Sequence, residues 1–486
     1  PATPRPHRLP NVLRAVLGGV LALVLLSPAQ ARAATQVDCP PFARPVASPT
    51  PRPPAADSAL TAPTGLHLAA PTSTLSGLSQ KALRKSVRYT LRTWLPHCFG
   101  DQDPAQPIDP RGSAERQVRP LAMAAYSLAI ALQTSAYDES AIGVPRAQAL
   151  RTTKRIVTGL IAHHRANDSS DQAWGHGWQS SLWTYYIGYA GWLISADLTP
   201  DQSGDLARML RDEADYRAKV LQDQGVPYMY SKSGRTLHPG DSYAEENAWN
   251  SMAPSLAAFA LPPGPQTPLW RTTAARYQVG SYIRQSDTTR TRMIDGSPLR
   301  ASLGGFNMRS DGTVINHNRL HPEYMSLITM KATELLNAAP AGASATQSTV
   351  YNLPFMHDTF RNRPMPNGAP IYRPGSWRIN YPQGNDWGTG RISNYALLDA
   401  TAAQLTAGSR RSAITAFQRR HLDRQLALMA RFTDGRTYKG TWNSSGSEYS
   451  YVGREQITAA DLAQIWLTEY FGAHHRLQFG PTEFLS

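Results

Sequence analysis

What most constrains this chain is the alternation of two kinds of connection between helical segments. Apolar residues recur at helical spacing over residues 78–95, 121–134, 146–164, 179–196, 202–222, 247–260, 269–284, 322–338, 394–405, 411–432 and 459–471, with a weaker pattern over 344–358. One set of connections is short and bland: "SADLTPD", "LPPGPQTP", "AAPAGASATQ" and "TAGSRRS". The other set is long, aromatic and polar, over residues 167–178, 227–250, 304–325, 372–391 and 434–456. In a stack of antiparallel helix hairpins, every second connection emerges at the same end. One end is therefore plain, and the other carries nearly all the loop Trp, His and paired acids. This order predicts an all-α fold, an (α/α)6-type toroid of helix hairpins with a cleft at the loop-bearing end. No repeat of fixed period speaks for a solenoid, and strand signals are sparse. Two helix starts carry capping signals: Thr199 before Pro200, and Thr458 facing Asp461 in "TAAD".

The ends read differently from the body. A basic start (Arg5, His7, Arg8, Arg14), an apolar run over residues 12–26 and an A-x-A pattern at Ala31 and Ala33 form a secretory signal, residues 1–33. The run is about 15 residues, too short to span a bilayer comfortably. Residues 34–75 read as a Pro-rich N-terminal arm or linker, since proline removes an amide donor and fixes φ. Residues 76–486 form the helical body, and the mature protein is expected to be secreted and without a membrane span. Cys39 and Cys98 are the only cysteines; export predicts a disulfide that ties the arm to the end of the first helix.

The formal net charge is +14, and residues 1–33 hold four arginines and no acid, which leaves the rest of the chain at about +10. A basic surface draws polyanions. The expected partner is a polyanionic polysaccharide rather than nucleic acid or a membrane, met by a monomer.

The long connections supply the chemistry. Trp174, Trp178, Trp249, Trp377, Trp387 and Trp442 offer flat apolar faces beside hydroxyl and amide groups, which suits sugar rings. "WGHGW" favours a surface turn that brings His176 to the indoles at 174 and 178. No metal-ligand spacing stands out: His163 with His164, and His474 with His475, each point in different directions on a helix. There is no G-x-S-x-G, phosphate-binding loop or dinucleotide fingerprint, so neither a metal nor a cofactor is expected.

Two chemistries suit such a cleft. Hydrolysis needs two carboxyls. Candidates are Glu245, Glu246, Asp311, Glu323, Asp386 and Glu448, with Glu246 and Asp311 foremost and Asp386 third. β-Elimination of a uronate polymer needs a group to neutralise the carboxylate, a base at the α-carbon and an acid at the departing oxygen. The stretch "DGTVINHNRLHPEYM" (residues 311–325) is dense in such groups. Asn316 or Asn250 can donate to the carboxylate, His317 suits the base, and Tyr324 can protonate the leaving oxygen. Arg309, Arg319, Arg378 and Arg391 can hold neighbouring acid groups, and Asp386 and Trp387 lie in the same loop region.

"DGTVINH" (residues 311–317), followed by Tyr324, resembles the Asp-Gly-Ser-Phe-Ile-x-His…Tyr stretch of the chondroitin AC and hyaluronate lyases. The related heparinase- and alginate-lyase-like toroids similarly use Asn, His and Tyr from such loops. The resemblance implies that His317 and Tyr324 are the proton-transfer pair and Asn250 the carboxylate neutraliser. The expectation is a secreted polysaccharide lyase acting on an acidic glycan. The alternatives are a toroid glycoside hydrolase with paired carboxylates and a non-catalytic glycan- or cell-wall-binding protein.

Overall fold

The computed structural model describes residues 37–41, 49–50, 59–386, 391–441 and 449–480. The expected export signal and part of the Pro-rich arm therefore lie outside the described residues, as do Trp387, Trp442 and Glu448. The principal helices are α1 (Thr74–Tyr89), α2 (Glu115–Gln133), α3 (Arg146–Ala162), α4 (Ser180–Leu193), α5 (Pro200–Gln224), α6 (Ala244–Asn250) and α7 (Met252–Ala260). They continue as α8 (Thr267–Gly280), α9 (Pro322–Ser326), α10 (Thr333–Ala341), α11 (Leu353–Asn362), α12 (Ile392–Gln404), α13 (Gly408–Met429) and α14 (Arg454–Ala473). The described strands form only short two-stranded ladders, so the fold is all-α. No helix among the described residues is long and apolar enough to cross a membrane.

The long helices fall into two classes that alternate along the chain. Every residue of α4 and of α7 is buried, and α2, α10, α12 and α14 are buried around nearly their whole circumference. A helix without a polar face must be enclosed by other helices. The others expose one face: α5, for example, buries Leu206, Leu210, Ala214, Arg217 and Leu221 along one stripe. Among the enclosed helices, α2 packs on α4, α4 on α7, α7 on α10, α10 on α14, α12 on α14, and α14 on α2. The one-faced helices cover them: α3 lies on α2, α5 on α4 and α7, α8 on α7, α11 and α13 on α12, and α1 on α13 and α14. Gly188 and Gly191 let α4 approach α5 closely, because a Cβ there would lie 2.7 Å from Leu210 and Leu206 respectively.

Several helix boundaries differ from the periodicity reading. The segment 247–260 divides because the Ser181 hydroxyl inserts at the junction, donating to Trp249 O (2.9 Å) and accepting from Ala253 N (3.2 Å). The capping box at Thr199 is present, with Gln202 as its partner. The one at Thr458 is not. Helix α14 begins five residues earlier, after Gly453 (φ +88°). Arg454 stacks 3.9 Å from the Tyr438 ring centroid, and Glu455 accepts from the backbone amides of Thr437 and Tyr438 (2.9 and 2.8 Å), which pins the first turn upstream.

Part of the segment read as a linker is docked on the body. Thr61 N donates to Ala260 O (2.9 Å), Thr64 N to Pro340 O (2.7 Å) and His67 N to Gln133 O (3.2 Å). Leu68 N donates to the Tyr470 hydroxyl (2.6 Å), and Trp192 Nε1 to Thr61 O (2.7 Å). These partners lie in the last turns of α7, α10, α2, α14 and α4. The arm thus crosses the C-terminal ends of the enclosed helices and occupies carbonyls that have no partner within their own helix. The predicted disulfide is present: Cys39 and Cys98 are joined, with Cα atoms 5.4 Å apart. Replacing both cysteines by serine removes a 59-residue cross-link and is expected to cost about 2–5 kcal/mol, read as a lower urea midpoint.

Candidate active site

A cleft of ≈ 960 Å³ opens at the N-terminal halves of the enclosed helices, with Arg119 of α2, Tyr186 of α4, Asn394 of α12 and Asp461 of α14 in its walls. All the long aromatic connections and their flanking turns reach it, through Trp178, Glu246, His317, Arg391 and Tyr451.

His317 sits at the tip of a hairpin whose strands are Ile315–Asn316 and Arg319–Leu320. The two tip residues, His317 and Asn318, both take left-handed backbone (φ +48° and +61°), as a tight turn of this type requires. That conformation is uncommon for a histidine. It is held by neighbours: His317 N donates to Asn316 Oδ1 (2.9 Å), and Asn318 N donates to Gly240 O (3.0 Å). Gly240 is itself required, because a Cβ there would lie 2.0 Å from Asn318 Oδ1.

Downstream, His321 precedes α9 and Tyr324 occupies its first turn. The Tyr324 hydroxyl lies 3.3 Å from His317 Nε2. On the other side of the ring, His317 Nδ1 meets Asp386 Oδ2 at 2.6 Å, and His321 Nε2 meets Asp386 Oδ1 at 2.8 Å. Partial burial pulls the Asp386 carboxyl upward, but hydrogen bonds from His321 and His317 outweigh this and hold it below the usual carboxylate range. An ionised carboxylate only accepts, so both imidazoles turn an N–H toward it. In the neutral His317 ring this places the proton on Nδ1 and makes Nε2, which faces Tyr324, the acceptor nitrogen. Burial of His321 pushes its pKa down, against the pull of Asp386.

A second group also lines the cleft. The Asn316 amide donates to Glu245 Oε1. Glu245 is 3% exposed; its burial, reinforced by Asp241 and Glu246, pushes its pKa up to about 8. At neutral pH it is a carboxylic acid with a proton to donate. Glu246 accepts from Trp178 Nε1 (3.0 Å), and its pKa is also raised by burial. Trp178 is 58% exposed and meets the buried Trp249 edge-on, with centroids 5.4 Å apart. Arg391 is paired with the buried Glu323, its Nε donating to Oε2 at 2.7 Å. Asp461 accepts from Ser393 (2.7 Å), and burial raises its pKa to about 7.

The structure thus brings together His317, Tyr324, Asn316, Glu246, Trp178, Trp249 and Arg391, with Asp386 bonded to His317. Other candidates are used elsewhere. Asn250 accepts from Arg217 (3.1 Å) and is not a wall residue, so of the two candidate amides only Asn316 lines the cleft. Asp311 caps its own turn, accepting from Thr313 N and Oγ1 (2.9 and 2.7 Å). Trp174 is a core residue whose indole donates to Leu160 O (2.8 Å), and His176 stacks on Tyr216 beside Asp212. Arg309 and Arg378 also lie outside the cleft wall.

Three contributors escaped the sequence reading: His321, not singled out there; Glu245, named only as a hydrolytic carboxyl; and Asp461, assigned to a capping box. The i, i+4 spacing of His317 and His321 was the one available signal. Compared with protein-family models, curated proteins and solved structures, the chain matches none.

The raised pKa of Glu245 makes stability depend on pH. A carboxyl that folding holds protonated contributes stability that is fully present below its ordinary value of 4.5 and is lost as pH rises through about 8. Glu245→Gln keeps the acceptor from Asn316 but cannot ionise. Its melting temperature is expected to fall less than that of the wild-type protein between pH 5 and pH 9, measured by calorimetry at matched ionic strength.

Proposed function

We propose that this protein is a secreted polysaccharide lyase that cleaves a uronate-containing glycan by β-elimination in the cleft of an (α/α)6 toroid. The observation that carries this reading is His317, held by Asp386 on one nitrogen and facing the Tyr324 hydroxyl 3.3 Å from the other. The toroid is supported by the alternation of enclosed and one-faced helices, and by the packing that runs from α2 around to α14 and back. The disulfide suits an oxidising compartment. The likeness of residues 311–324 to the lyase stretch points the same way.

In this mechanism the uronate carboxylate lies against the Asn316 amide and the protonated Glu245, which stabilise the charge that builds as the α-carbon is deprotonated. His317 Nε2 takes the C5 proton. The electron pair forms the C4=C5 bond and expels the glycosidic oxygen at C4, which takes the Tyr324 proton. The imidazolium then returns its proton to the Tyr324 phenolate, and both groups are reset. Trp178, backed by the buried Trp249, offers a face for a sugar ring. The N-terminal halves of the enclosed helices around the cleft favour an anionic guest.

The second reading, glycoside hydrolysis, is favoured by the carboxyls Glu246 and Asp461 in the same walls, both raised by burial. Incubation with a panel of uronate polymers separates the two. Elimination yields an unsaturated uronate that absorbs in the ultraviolet, whereas hydrolysis yields only new reducing ends. Neither product would leave a glycan-binding protein. On the lyase reading, His317→Ala and Tyr324→Phe each lower turnover by about 10²–10⁴-fold with unchanged circular dichroism. Full activity in His317→Ala overturns the assignment.

A further inference from the structure

The cluster that orients His317 has the composition of a metal site. Among the described residues, one ligand atom each from His317, His321 and Asp386 lie within 4.8 Å of one another. Two imidazole nitrogens and one carboxylate suit zinc and its first-row neighbours, whereas calcium and magnesium prefer oxygen alone. We propose that His317 Nδ1, His321 Nε2 and Asp386 bind a divalent transition ion of the zinc class, and that its occupancy switches the enzyme off.

The geometry favours capture with little movement. Both imidazole nitrogens already face the carboxylate, at 2.6 and 2.8 Å, and an ion at about 2.0–2.2 Å from each donor replaces the two shared protons. An entry path exists: the His317 and Asp386 side chains are 41% and 34% exposed, while His321 forms the buried floor. Three protein ligands leave a fourth position open toward solvent. His321 Nδ1 is buried without a hydrogen-bond partner. The site therefore lacks one of the outer partners that strengthen metal–histidine bonds, a loss of about 10–100-fold in affinity. Such a site fills and empties with the supply of the ion instead of holding it permanently.

The consequence follows from the tautomer. A metal on Nδ1 forces the imidazole proton onto Nε2, the atom that faces Tyr324. That nitrogen then donates and cannot accept the uronate proton. Binding stands without the lyase reading; only its effect on turnover rests on it.

The test is titration of the full chain with Zn²⁺ by isothermal calorimetry, alongside His321→Gln and Asp386→Asn, with Ca²⁺ as control. The expected result is one equivalent of Zn²⁺ per chain, no response to Ca²⁺, and affinity at least tenfold weaker in each variant. Asp386 is partly exposed, so its variant keeps the test sound if His321→Gln fails to fold. No binding up to 100 μM Zn²⁺, or equal binding by the wild-type protein and Asp386→Asn, overturns the site. With a uronate polymer that the protein cleaves, Zn²⁺ should suppress ultraviolet product formation at least tenfold and a chelator should restore it. Unchanged or increased turnover at saturating Zn²⁺ overturns the switch. Stoichiometric binding in a protein that eliminates no uronate polymer supports the site and counts against the lyase reading alone.

Discussion

A helix with no polar face can be stable in water only when other helices surround it, and this chain contains such helices at every second position. Helices α4 and α7 have every residue buried. The one-faced helices between them are the cover that this burial demands. Once that arrangement is set, the connections follow. Those leading into the enclosed helices gather at one end, where they wall a cleft, and the opposite end is crossed by the arm at residues 61–68. The arm answers a need of the enclosed helices, whose final carbonyls have no partners of their own.

The cleft shows how one fold holds two carboxyls in opposite states. Asp386 is partly exposed and faces two imidazoles, so it stays ionised and fixes the His317 tautomer. Glu245 is buried beside other acids and meets neutral donors, the Asn316 amide and the Ser242 hydroxyl, so it keeps its proton to about pH 8. An acceptor-only group and a donor-capable group of the same chemistry thus hold adjacent residues of one hairpin, His317 and Asn316. The contrast arises from burial and partners, not from residue type.

The periodic signal was readable wherever a helix was long and its packing did not interrupt it. It failed where tertiary contacts intervened, as at Ser181 between α6 and α7, or at Arg454 and Glu455, which start α14 ahead of Thr458. The site was readable to the same extent. Asn316, His317 and Tyr324 stood out because they are close in sequence and chemically dense. Asp386 was seen, but not as the partner of His317, because 69 residues separate them. Asn250 and Asp311 had the right chemistry in the right stretches, yet Arg217 and Thr313 occupy them.

The sequence by itself determined the all-α class, the alternation of connections, the Cys39–Cys98 pairing and the dense polar stretch that carries His317. Each is written in local periodicity, composition or a short motif. The tertiary structure decided which polar groups are free to act. That depends on burial and on partners tens of residues away, and pKa, tautomer and access to the cleft are properties of those surroundings rather than of the residue.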